Sequence, residues 1–195
     1  MTETDVANMA LGLLDEAQIT SLAQNSTAGR LVNLHFAQTR RAELAKYAWI
    51  FAMRSSSSVG TEVENGSMTM QFDMPTDAVR ILPLTYDGEP SGIPINWRQT
   101  GIYIYTDQDT PQVIRYIKDI TDPDEWSPLF VEVMAAALAV KIALPLTHKQ
   151  AMIQVARQAY ADAVATAQRQ NAFQRSGRLD TNSWLIQRGD YRWTA

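Results

Sequence analysis

Asp119, Asp122, Asp124 and Glu125 form the densest group of side chains able to do chemistry, and Trp126 follows them directly. Two carboxylates flanking a sugar can serve as general acid and base, or as acid and nucleophile, in glycoside hydrolysis. With an aromatic beside them, Asp122 and Glu125 admit one enzymatic reading, a glycan hydrolase. A competing reading costs less. The same residues stand just ahead of Ser127-Pro128, a helix start, where negative charge is favourable and Asp closes turns. The sequence therefore favours helix-start groups over catalysts.

The other reactive residues are sparse. His35 and His148 are the only histidines and match no metal-ligand spacing. There is no cysteine, hence no disulfide framework and no thiolate. Neither a phosphate-binding glycine loop nor a Gly-x-Ser-x-Gly elbow occurs. Arg40-Arg41 is the only basic doublet, too little for a phosphate-gripping face. Inside a helix such a pair more often makes interhelical salt bridges. The expectation is no catalytic, cofactor or metal site, and no enzyme.

The element behind the acidic group is the most distinctive one. Ser127 suits an N-cap and Pro128 the first helical position. Pro145 is expected to close the helix. Between them only Glu132 and Lys141 are charged, and nine positions separate them, which puts them on opposite sides. A helix without a wide polar face must be surrounded by protein, either in a helical core or at a seam between subunits. Trp126, Phe130, Val133, Met134 and Leu138 are its packing residues, with Trp49 and Phe51 as partners from upstream.

Other helices read at 5–15, with Asp5 as N-cap and a stripe of Val6, Met9, Ala10, Leu13 and Leu14. Another runs from Ser26 or Thr27 to about Arg54, with Leu34, Ala37, Leu44, Ala48 and Phe51 on one face and Ser55–Ser58 stopping it. A last one runs from about Thr147, where His148 lies at its start, to Phe173, with Met152, Ile153, Ala156, Tyr160, Ala163, Val164 and Ala167 in a stripe. Between the helices, residues 68–72, 78–82, 93–98, 101–106 and 112–118 are short and β-branched or aromatic, punctuated by Pro and Gly. The fold class is α+β, mainly α: an antiparallel helical bundle with an inserted small antiparallel sheet. The expected division is 1–58 bundle, 59–120 inserted β-domain, 121–176 bundle and 177–195 an extended C-terminal arm. The arm has no clear period yet holds Trp184, Leu185, Ile186, Tyr191 and Trp193, so it is expected to dock on something.

The 195-residue chain is long enough for a real core. Its net charge of −4 is unevenly spread: residues 56–148 hold five basic and thirteen acidic residues, and 149–195 hold seven basic and three acidic. Different ends can meet different partners. The start, Met-Thr-Glu-Thr-Asp, does not match a secretory leader, and no apolar run is read as long enough to span a bilayer.

An ordered series of residues resembles the tail tubular protein A family, the head-to-tail adaptors of short-tailed bacteriophages. It begins with Asn8-Met9-Ala10-Leu11 and Leu14, then Ile19-Thr20-Ser21-Leu22. It continues through Phe36-x3-Arg40-x3-Leu44, Trp49-x-Phe51-Ala52-x-Arg54 and Met74-Pro75-x-Asp77-x-x-Arg80. Its most specific block is Tyr116-Ile117-x-Asp119-x-Thr121-Asp122-Pro123-x-x-Trp126-x-Pro128-x-Phe130-Val131-Glu132, with Pro145-Leu146-Thr147 after it. The resemblance implies a helical bundle with an inserted β-domain. It implies a homo-oligomeric ring, typically a dodecamer, at the head–tail junction of the virion, assembled in the host cytoplasm. The implied partners are the portal protein, a nozzle protein of the tail tubular protein B type and tail fibres. Genomic DNA would pass through the lumen without sequence-specific binding, and no membrane is involved. The C-terminal arm would reach the portal. No cofactor is implied.

Overall fold

The computed structural model describes residues 1–90, 92–108 and 111–175. Helix α1 spans Glu3–Gly12, and its N-cap is Thr2 rather than Asp5. Asp5 sits at the third helical position, where its carboxylate reaches back to the Thr2 N–H at 2.7 Å while the Thr2 hydroxyl accepts from the Asp5 N–H. This reciprocal capping box satisfies two donors that the first turn leaves free. Val6, Ala7, Ala10, Leu11 and Leu14 are buried, whereas Met9 and Leu13 remain 41% and 37% exposed. Asn8 ties down the following linker, donating to the Ile19 carbonyl and accepting from its N–H.

Helix α2, Thr27–Lys46, is capped by Ser26, whose hydroxyl accepts from the Gly29 N–H. It ends eight residues before the expected Arg54. Arg80 donates to the carbonyls of Ala45 and Lys46, and the Trp49 indole donates to the carbonyl of Glu43. The last-turn acceptors are thus taken by side chains, and Tyr47 leaves in an extended conformation. The buried face also differs from the expected one. Val32, Phe36, Thr39, Arg40, Glu43 and Leu44 face inward, while Leu34 is 69% exposed and Ala37 also faces solvent.

After a short 3-10 turn at Ile50–Ala52, the serine run expected to stop the helix becomes strand β1, Met53–Ser58. Strands β2 (Thr61–Asn65), β3 (Met68–Asp73), β4 (Ala78–Ile81), β5 (Trp97–Thr100), β6 (Tyr103–Thr106) and β7 (Gln112–Lys118) follow. Strands therefore occupy the last six residues of the segment assigned to the first helical part. They form two antiparallel sheets rather than one, ordered β1-β7-β4 and β2-β3-β6-β5. β1 is an edge strand whose serines pair with Gln112 to Arg115 of β7. Alternation along β7 explains the layering. Ile114 and Tyr116 join Phe72, Ile81, Leu84 and Ile104 in a cluster between the sheets, whereas Ile117 enters the helical core.

Helix α3 spans Pro128–Thr147, with Ser127 as N-cap accepting from the Phe130 N–H and Pro128 in the first turn. Pro145 lies inside it and does not close it. A proline in the last turn forfeits one backbone hydrogen bond near an end that is solvated anyway. The turn survives because the Thr147 hydroxyl donates to the Ala143 carbonyl and the His148 N–H to Leu144. His148 is the left-handed C-cap of α3, not a helix start. Helix α4 then runs Gln150–Arg175.

α3 packs against α1, α2 and α4. Phe130, Val133, Met134, Leu138, Ala139, Ile142 and Ala143 are all fully buried. By length and composition α3 is able to cross a membrane, contrary to the expectation from sequence, with a mean hydropathy of 2.1 and 61% of that window buried inside the molecule.

Two substitutions separate the real core face from the expected one. Phe130→Ala is expected to cost about 3–5 kcal/mol in urea unfolding. Leu34→Ala in the isolated chain is expected to change stability by no more than about 0.5 kcal/mol. A Leu34 loss as large as that at Phe130 would return its face to the core.

Candidate functional site

The acidic group at 119–125 is spread among separate partners. β7 delivers Asp119 to α2, where Arg40 clamps it with Nε at 3.0 Å from one oxygen and Nη2 at 3.3 Å from the other. Arg41 Nε lies 3.6 Å from the second oxygen, and Glu3 of α1 is 3.7 Å from Arg40. Arg40 is only 7% exposed, so this fork joins α1, α2 and the sheet where water competes little. Asp122 caps a 3-10 turn at Pro123–Glu125 by accepting from the Asp124 N–H. Asp124 pairs with the Met1 ammonium, and Glu125 lies 3.8 Å from Arg54. Asp122 and Glu125, the sequence-level acid and base, are thus drawn to different groups, one capping a turn and one reaching across to β1.

Aromatic residues gather around Phe130. Its ring centroid is 5.3 Å from Trp126, 5.2 Å from Trp49 and 5.1 Å from Phe51, the two indoles meeting it edge-on. Phe36 stacks on the far side of Trp126 at 6.5 Å. Both indole N–H groups are satisfied, Trp49 by Glu43 and Trp126 by the Ile120 carbonyl. Such edge-on pairs add to plain area burial. Trp49, Trp126, Phe130, Val133, Met134 and Leu138 all lie in the chain's own core, while Phe51 is half-buried at its margin. Trp184, Leu185, Ile186, Tyr191 and Trp193 lie outside the described residues.

Sequence reasoning missed a polar knot between α2 and α4. The Tyr160 hydroxyl donates to Glu43 Oε2 at 2.9 Å and accepts from Lys46 Nζ at 2.7 Å, and Lys46 pairs with Glu43 Oε1 at 2.6 Å. Glu43 and Lys46 stand three apart on one helix and look like an ordinary surface pair. Tyr160 looked like part of an apolar stripe. Their polar ends meet because α2 and α4 both pack on α3. Below them Asn171 holds the extended segment after α2, accepting from the Ile50 N–H and donating to the Ala48 carbonyl. Burial disfavours the Lys46 ammonium, but hydrogen bonds and charge from Glu43 and Tyr160 outweigh it and hold its pKa above the usual lysine value. Burial raises the Tyr160 pKa and Glu43 raises it further, against a lowering contribution from Lys46.

Two open grooves stand out by volume among the described residues. One, about 550 Å³, lies between α1, α3 and α4 and is floored by Ala135, Ala136 and Ala163, with Met9 and Leu13 on one side and Glu132 and Asp162 as its charged groups. The other, about 570 Å³, lies between helices and sheet and carries Arg80 and Arg115. Among the described residues no cluster of three or more His, Cys, Asp or Glu is placed to hold a metal. No protein-family model matches the chain, and no curated protein matches it.

Arg40→Met leaves Asp119 only the longer Arg41 contact and is expected to cost about 2–3 kcal/mol, and adding Asp119→Leu to recover most of that loss, since an apolar pair can replace a buried ionic one. No recovery in urea unfolding of the double variant would show that the ion pair itself is required. The raised pKa values of Lys46 and Tyr160 have the same sign in linkage. Their contribution is whole below the unfolded values and is lost as pH rises through the folded ones. Stability should therefore fall above about pH 10. Tyr160→Phe should cost about 1–2 kcal/mol at neutral pH and flatten that decline; an unchanged alkaline slope would place the effect elsewhere.

Proposed function

We propose that this chain is a structural virion protein, a head-to-tail adaptor that forms a ring between portal and tail nozzle, extends the DNA channel and anchors the tail. The observation that carries the reading is the ordered residue series resembling tail tubular protein A, several of whose members meet at one place. Phe36, Arg40 and Leu44 of α2, Trp49 after it, and Asp119, Trp126 and Phe130 from the distant block share one packed junction. The combination of a mainly helical fold with an inserted antiparallel sheet region agrees with what the resemblance implies.

Surface chemistry supports the same role. A closed ring needs two different complementary surfaces on each subunit. The apolar groove beside α1 and the outward face of α2, where Leu34 and Ala37 are exposed next to Arg41, are two different surfaces open to such contacts. The acidic balance of the chain suits a channel through which DNA slides, since basic contacts are what hold phosphate backbones.

Purified chain, monomeric or weakly associating alone, is expected to decorate isolated portal rings in negative-stain images. Bare portals after mixing would overturn the reading. Deletion of residues 178–195 is expected to keep the cooperative melt and abolish decoration. A lost melt would instead make the arm part of the core.

A further inference from the structure

Two surfaces left open by the fold carry matching chemistry. The groove between α1, α3 and α4 has a floor of alanines, and Met9 and Leu13 on its rim stay 41% and 37% exposed. Its charged groups, Glu132 and Asp162, are both acidic and both exposed. Glu132 has no hydrogen-bond or ion-pair partner among the described residues. Asp162 engages only a neutral amide, Gln158 of its own helix. Another opening onto α3, at residues 127–129 beside Trp49, Phe51 and Asn171, has no charged residue in its lining. The groove beside α1 thus calls for an occupant that is both apolar and basic.

The outward face of α2 has that character. Arg30, Leu34, Ala37 and Arg41 recur at spacings of four, three and four, which keeps them in one narrow stripe of the helix. All four are exposed, Leu34 by 69%. Glu43, the only carboxylate of α2, is buried, so the stripe carries no acidic residue. Arg30 donates to the Asn25 amide oxygen at 2.9 Å, and Arg41, 3.6 Å from Asp119, keeps 61% of its side chain exposed. The small Ala37 lets another helix approach closely. A helix face with anchors at these spacings suits an apolar groove. The contact cannot form within one chain. α2 packs on the core through Val32, Phe36 and Leu44, which turns the stripe away from α3, whereas the groove opens on α3 itself.

We propose that the groove receives the α2 stripe of a second copy of this chain, with Leu34 and Ala37 on the alanine floor and Arg30 and Arg41 meeting Glu132 and Asp162. The two surfaces differ, so the contact is head-to-tail and leaves a free stripe at one end and a free groove at the other for further copies. The pairing rests on the residues of this chain; only closure of the series into a ring rests on the adaptor reading.

The absence of native cysteine allows single thiols to be placed in the full chain. Chains carrying Ala37→Cys are mixed with chains carrying either Thr166→Cys, on the groove wall, or Arg157→Cys, exposed on another face of α4. Every residue substituted in this test is exposed, so the fold should tolerate each change. Under mild oxidation of concentrated protein without portal, the first pair should join at least about tenfold faster than the control pair, as a local effective concentration requires. Leu34→Asp in the first chain, or Glu132→Lys with Asp162→Lys in the second, should each slow that joining about fivefold or more. A smaller rate ratio, or indifference to either change, overturns the proposal. So does maleimide labelling that is much slower at Thr166→Cys than at Arg157→Cys in dilute protein, which would mean that the groove is filled within its own chain. Decorated portals without selective joining overturn this interface alone; selective joining beside bare portals supports it and overturns the adaptor reading alone.

Discussion

The helical half of this protein is organised by one constraint, the need to cover α3 on nearly every side. Most surface helices bury a stripe and solvate the rest. α3 has eleven buried residues distributed around its axis, so a single neighbour cannot shield it. α1, α2 and α4 each pack on it, and the 3-10 turn after α2 brings Trp49 and Phe51 over its first turn. The alanines at 135–137 and 139 make this possible, because small side chains let several helices approach one axis. Phe130 is fixed by three aromatic neighbours at the point where helices and the entering chain converge.

Covering α3 forces polar groups inward, and the fold meets that cost with fully partnered clusters. α2 contributes Thr39, Arg40 and Glu43 to its buried face. Arg40 meets Asp119 and Glu3; Glu43 meets Lys46 and Tyr160. Among the described residues no buried side-chain nitrogen or oxygen lacks a hydrogen-bond partner. Removing one member of such a cluster leaves a charge without compensation, which is why these contacts fix the mutual placement of α1, α2, α4 and the sheet more tightly than apolar contact alone. The acidic residues ahead of α3 belong to the same system, holding the crossing from β7 to the helix.

The sheets are joined to this core through β7. Its alternate residues face two hydrophobic clusters, one shared with the helices and one shared with the second sheet. The three-stranded sheet is therefore a middle layer, and its edge strand β1 is the direct continuation of the aromatic turn that covers α3.

Local signals were legible in the sequence where the physics is local. Ser127-Pro128 marked the start of α3 because capping needs only neighbouring atoms. The mixed α+β class, the missing polar face of α3 and the stripe on α4 followed from periodicity. What sequence alone misplaced depended on distant partners. Ser55–Ser58 form a strand because β7, more than fifty residues later, supplies the ladder. α2 stops at Lys46 because Arg80 and Trp49 take its carbonyls. Leu34 and Ala37 were read onto one face with Leu44, yet only Leu44 of the three is buried, and the turn of the helix toward Phe36 rested on Arg40 and Glu43 finding partners just after β7 and on α4. Hydrophobic period and caps determined which elements form. Only the tertiary structure decided which faces are buried and which carboxylates are already engaged, because those outcomes are set by groups that the chain brings together from far apart.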